Sequence, residues 1–175
     1  MARARKERDL KRSRITVIGE GLTERWYFEL LRTVKGYRYD CKPRFFANQS
    51  YEEMMKLIDW TLLNGGIAIC VCDADITRYN EERAKKLQEM KALYAKTDRV
   101  FICDSMPSIE FWFLIHYMNT SKYFKNVDAV IKVLKKFIPS YEKTGSFLKK
   151  QSWGAEMSTN EKQSMLAREL HFLVR

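Results

Sequence analysis

The feature that most restricts the fold of this chain is the run Ile67-Ala68-Ile69-Cys70-Val71-Cys72, apolar at every position and stopped abruptly by Asp73-Ala74-Asp75. A strand with one face in water alternates polar and apolar residues. A strand apolar throughout needs cover on both faces, which is the situation of a central strand in a parallel sheet flanked by helices.

The flanking sequence supplies those helices. Arg14–Ile18 is a short β-branched run that ends in the tight turn Gly19-Glu20-Gly21. Thr23 is a candidate cap for a helix with Tyr27, Leu30, Leu31 and Val34 at i, i+3, i+4 and i+7, closed by Gly36. Arg44–Ala47 reads as a second strand. Ser50-Tyr51-Glu52-Glu53 is a capping box, and Tyr51, Met54, Met55, Ile58 and Leu62 form the stripe of the helix it opens, up to Asn64-Gly65-Gly66. A charged helix from about Asn80 to Tyr94 and a strand at Val100–Cys103 follow. The order β-α-β-α-β-α-β, joined by right-handed crossovers, predicts a doubly wound α/β/α sandwich of about four mostly parallel strands. Ser108–Met118 is apolar nearly all round and reads as a buried helix. Val127–Ile138 is amphipathic and is stopped by Pro139, and a capping box at Ser158–Glu161 opens a last helix. A length of 175 residues suits one compact domain. The expected organisation is a basic tail over 1–13, an α/β core over 14–118 and a helical C-terminal extension over 119–175.

No apolar run approaches the roughly 18 residues that span a membrane. The four residues Ile15–Ile18 are too short for a signal-peptide core, so a cytoplasmic protein is expected. Cys70, Cys72 and Cys103 sit inside strand-like runs and read as buried structural thiols, a poor spacing for zinc. The net charge of +10 is concentrated at the ends: residues 1–14 carry +5, residues 15–120 carry −1 and residues 121–175 carry +6. Positive ends on a neutral body suit a polyanionic partner, with nucleic acid the expected one, the alternative being a basic N-terminal tail that is only solvated.

In open parallel sheets, ligands bind at the carboxyl ends of the strands where strand order reverses. Glu20 ends the first strand, Asp73 and Asp75 end the third, and the fourth runs into Asp104. In extended geometry Asp73 and Asp75 point the same way with the small Ala74 between them. Single acids after strands are usually turn or cap residues. Three of them at the ends of the two most buried strands point instead to a site for magnesium or manganese, hard cations that take oxygen ligands and complete their shell with phosphate. Arg78, three residues beyond Asp75, is a candidate phosphate contact or a balance to the acids. His116 lies on an apolar helix and reads as a core or supporting histidine.

Ile15–Glu24 resembles the first motif of Toprim domains, a strand followed by Glu20-Gly21 and a second acid, Glu24, and Asp73-Ala74-Asp75 resembles their Asp-x-Asp motif. The segment Ser105-Met106-Pro107-Ser108-Ile109-Glu110-Phe111-Trp112-Phe113-Leu114-Ile115-His116 is similar to the Ser-x-Pro-x-x-Glu-x-Trp-x-Leu-x-His signature of the RloB-like family, and Tyr141-x-Lys143 to its Tyr-x-Lys element. That family is associated with restriction loci and abortive infection in bacteria. The resemblance covers about residues 14–145. It implies a Toprim-like fold with Glu20 as general acid/base or metal ligand, Asp73 and Asp75 as magnesium (or manganese) ligands, Glu110 as a further catalytic acid, and Lys143 as a substrate-binding residue. Leu22 departs from the pattern, since related Toprim proteins often have a polar residue there. The function implied is a metal-dependent nuclease of bacterial defence, acting on DNA or RNA, with a protein encoded at such a locus as a further partner. The alternative is a non-catalytic nucleic-acid-binding or adaptor module on the same fold.

Overall fold

A computed structural model describes residues 14–43, 49–74, 79–144 and 147. Within them the chain runs β1 (Ile15–Gly19), α1 (Leu22–Lys35), β2 (Tyr39–Lys42), α2 (Tyr51–Leu63), β3 (Ile67–Asp73), α3 (Glu81–Tyr94), β4 (Val100–Ser105), α4 (Ile109–Ile115) and α5 (Val127–Leu134). The four strands form one all-parallel sheet in the order β2-β1-β3-β4. The expected α/β sandwich is therefore the observed one.

The period of two along β3 divides the core. Ile69 and Val71 face one layer with Val17, Tyr27 and Phe28, together with Ile109, Phe113 and Leu114 of α4 and Val130 and Leu134 of α5. Ala68, Cys70 and Cys72 face the other with Ile18, Met54 and Ile58 of α2 and Leu87 and Met90 of α3. Both faces of β3 are covered, which explains its unbroken apolar run. The helix placement matches right-handed crossovers that leave β1 in one direction and return past it in the other. The strand order thus reverses between β1 and β3, and the crevice that reversal opens lies beyond Gly19 and Asp73.

The boundaries differ from expectation in instructive ways. The strand paired with β1 is Tyr39–Lys42, whereas the expected second strand at Arg44–Ala47 lies outside the described residues, as do the Ser158 capping box and the helix it opens. An edge strand buries little, and here only Tyr39 is buried, so Tyr39-Asp40-Cys41-Lys42 carries no apolar signal. Thr23 does not cap α1. The cap is Gly21, which has no side chain, and Glu24 closes the first turn by accepting the Gly21 N–H at 2.9 Å. The Ser50 capping box is present in both directions, Glu53 N–H to Ser50 Oγ at 3.2 Å and Ser50 N–H to Glu53 Oε2 at 2.8 Å. At the end of α5 the hydrogen bonds tighten to i→i−3, Lys136 to Val133 and Phe137 to Leu134, so the regular helix stops at Leu134 rather than Ile138. All four cysteines are free thiols; Cys70 and Cys72 are buried, and burial pushes both thiols well above their usual range. None of the described helices is long and apolar enough to cross a membrane.

Candidate active site

Glu20 is placed by the end of β1 and by how closely α1 follows it. A Cβ on Gly19 would lie 2.8 Å from the Glu24 Cβ, so the missing side chain at Gly19 is what lets the first turn of α1 settle against the strand end. That room is filled by Glu24, which is buried. Because β1 and β3 pair in parallel with Gly19 opposite Val71, Glu20 and Asp73 emerge side by side. The Asp73 N–H donates to Glu20 Oε2 at 3.1 Å.

Asp73 is oriented from the opposite flank. Its cross-strand partner is Ser105, whose hydroxyl donates to Asp73 Oδ1 at 2.8 Å. The N–H of Ile109, an unpaired donor at the start of α4, meets the same oxygen at 3.0 Å. The next residue, Glu110, is fully buried. It accepts Ser108 Oγ at 2.6 Å on one oxygen, and Tyr141 OH at 3.2 Å and Lys143 Nζ at 3.0 Å on the other. The segment after α5 thus returns to the crevice through the buried Tyr141 and the half-exposed Lys143.

Four acids, Glu20, Glu24, Asp73 and Glu110, therefore cluster at this end of the sheet, and their charges do not balance locally. Burial first, then the nearby Glu110 and Glu20 charges, push the Asp73 carboxyl up to about 6 against the pull of the Ser105 hydrogen bond and Lys143. Burial and the Asp73 charge push Glu24 up to about 7, although the backbone amides of its helix turn oppose the shift. Among the described residues, two cations border the row. Lys143 is held protonated: burial pulls its pKa down, but Glu110, Asp73 and Glu24 together outweigh burial and raise it. Arg83 of α3 places Nη2 2.5 Å from Glu20 Oε1 and lies 5.2 Å from the ring centre of the buried Tyr51.

Among the described residues no group of three His, Cys, Asp or Glu side chains is arranged to hold a metal ion by itself. Magnesium does not need one, since it is commonly held by one or two carboxylates plus water and substrate phosphate. Glu20 and Asp73 supply such hard oxygen donors at the ends of neighbouring strands. The residues present fit a divalent cation.

Of the residues singled out in the sequence, Glu20, Asp73, Glu110 and Lys143 are brought together, and Asp75 and Arg78 lie outside the described residues. Asp104 turns away to Lys91, at 2.8 Å. His116 is buried with Nε2 2.8 Å from the Tyr27 hydroxyl and serves the packing of α1 on α4. Sequence reasoning missed Arg83 as a site residue. Its signal was a cation in the first turn of a helix that begins just after the Asp73 strand end, where the helix dipole favours acids such as its neighbours Glu81 and Glu82.

Glu110 has both oxygens engaged and sits beneath the crevice, holding Lys143 in place. Glu110→Ala is expected to cost about 3 kcal/mol of stability, because it strands a lysine and two hydroxyls. Chemical denaturation measures this, and a loss within about 0.5 kcal/mol, the usual range for surface changes, would contradict the arrangement.

Fold and site together define a doubly wound α/β protein with an acidic crevice, bordered by two cations, at its topological switch point. A family model described as RloB-like protein matches residues 15–169, and the chain belongs to that family. No curated protein and no solved structure matches the chain.

Proposed function

We propose that this chain is a metal-dependent nuclease of the Toprim type that cleaves phosphodiester bonds of DNA or RNA in bacterial defence, in the cytoplasm. The observation that carries this reading is the meeting of Glu20 and Asp73 at the ends of adjacent strands, on the crevice where α/β sheets bind ligands. The family's association with restriction loci and abortive infection supports the defence role and a partner protein from such a locus. The surplus of basic residues toward both chain ends supports a nucleic-acid substrate.

Glu20 and Asp73 would hold magnesium or manganese, with Asp75 as the third ligand that the sequence suggests. Bound there, the ion would supply charge to the phosphoryl oxygens and help activate the attacking water. The chain's own residues do the rest. Ser105 and the Ile109 N–H fix the Asp73 carboxylate, as supporting hydrogen bonds to metal ligands do. Glu20 takes or returns a proton at the reacting oxygen, and Lys143 steadies a phosphate from the other flank.

One observation favours the non-catalytic alternative: both Glu20 oxygens already have partners, the Asp73 N–H and Arg83. Turnover decides between them. The test incubates the protein with single- and double-stranded DNA and RNA, with and without manganese, beside Asp73→Ala. Metal-dependent cleavage is expected, together with a metal-dependent rise in melting temperature, and Asp73→Ala should lose both. Metal-independent binding without cleavage would leave the adaptor reading. A melting temperature unmoved by millimolar metal, with no cleavage, would remove the nuclease reading.

A further inference from the structure

Arg83 is not explained by packing. The buried side chains of α3 are Leu87, Met90 and Tyr94, while Arg83, in its first turn, is about a third exposed and pairs with the strand-end acid Glu20. It binds Glu20 on Oε1, the oxygen that the Asp73 N–H leaves open. A divalent ion bound between Glu20 and Asp73 would lie within a few ångströms of this guanidinium, and in a half-buried crevice that repulsion is strong. A metal ion on Glu20 and the Arg83 guanidinium would repel one another across that carboxylate, so binding of the ion weakens the hold of Arg83 on Glu20.

The released side chain has somewhere to go. Tyr51 is a fixed, buried ring that already lies beneath the guanidinium, and its hydroxyl is 3.5 Å from the Asp73 carbonyl. By pivoting over that ring, Arg83 would keep a cation–π contact while its fork turned from Glu20 toward the water side of the crevice. A planar guanidinium there matches a phosphate oxygen pair.

We propose that Arg83 is a positioning residue that couples metal binding to substrate binding: it occupies Glu20 while the crevice is empty and transfers to a substrate phosphate when the cation takes Glu20. This rests on the metal-dependent reading above. Metal and phosphate then favour one another, because each is easier to bind once the other has drawn Arg83 away or received it.

The test uses the full chain and manganese alone, titrated calorimetrically into wild type, Arg83→Gln and Arg83→Lys. Removing the competing cation should tighten manganese binding roughly fivefold in Arg83→Gln. Arg83→Lys keeps the charge and should stay within about twofold of wild type. With manganese present, a short phosphorothioate oligonucleotide of alternating deoxy- and ribonucleotides, which resists cleavage, should respond oppositely, binding several-fold more weakly to Arg83→Gln, with a salt dependence reduced by about one phosphate contact. If Arg83 only braces Glu20, manganese binding to Arg83→Gln stays equal or weakens, and the proposal falls. It also falls if Arg83→Lys tightens as much as Arg83→Gln, or if oligonucleotide binding is unaffected. Manganese binding to wild type without the gain in Arg83→Gln overturns this inference alone. No manganese binding to any of the three, with or without the oligonucleotide, overturns it together with the reading it rests on.

Discussion

Glu20→Gln is expected to abolish phosphodiester cleavage while leaving the fold and nucleic-acid binding largely intact. The substitution keeps the shape of the side chain, and its amide oxygen can still accept the Asp73 N–H that now meets Glu20 Oε2 at 3.1 Å. What it removes is a proton acceptor and a negative ligand at the strand end. Loss of a general acid or base alone slows reactions about 10²–10⁴-fold, and weakening of the proposed metal site would add to that. The change also frees Arg83 from its ion pair, so substrate affinity should hold or rise. Single-turnover cleavage, oligonucleotide affinity and circular dichroism measure the three parts separately. Cleavage by Glu20→Gln at close to the wild-type rate would remove Glu20 from the chemistry.

The second large effect is on stability and has an unusual sign. Glu24 is held at about 7 in the folded chain, against an ordinary value of 4.5, and Asp73 at about 6 against 3.8. Below about pH 3 these carboxyls carry their protons in both states and add nothing. As pH rises from there toward 7, the unfolded chain ionises them while the folded chain must keep them protonated or bury the charge. Stability therefore falls across that window and levels off above it. For Glu24 the full loss is on the order of 3 kcal/mol. Glu24→Gln retains an acceptor for the Gly21 N–H and removes the charge. In chelator, it should match wild type near pH 4.5 and exceed it increasingly up to pH 8, where the gain should reach several degrees of melting temperature. Denaturant unfolding at both ends of the range checks this. A difference between variant and wild type that does not change with pH would show that Glu24 is not held in the buried, uncompensated state described.

The sequence made β3 legible because a doubly covered strand has to be apolar at every position, and Ile67–Cys72 is. It made Glu20 and Asp73 legible for a related reason: an acid directly after such a strand has few other places to be. β2 was not legible, since an edge strand with one buried residue leaves no pattern to read. The α1 cap is not legible either, since Thr23 has the side chain that usually caps, whereas the chain uses Gly21 and borrows the carboxylate of Glu24 three residues on. The burial of Glu110 followed from its apolar helix, but its partners Tyr141 and Lys143 lie more than one element away, and only the family motif linked them. Arg83 lies 63 residues from the acid it binds, beyond the reach of any local rule.

The two cations beside the acid row belong to opposite layers of the sandwich. Arg83 rides on the α2–α3 layer, whose apolar cluster packs one face of the sheet, and Lys143 follows α5 in the layer that packs the other. The two layers bury separate clusters and meet through the strands, so the acids at the strand ends lie on the seam between them. A chain in which only one layer has packed against the sheet presents the acids with one neutralising charge instead of two. The acid row therefore gains both of its bordering cations only when both halves have closed on the sheet, which ties the electrostatics of the seam to completion of the fold.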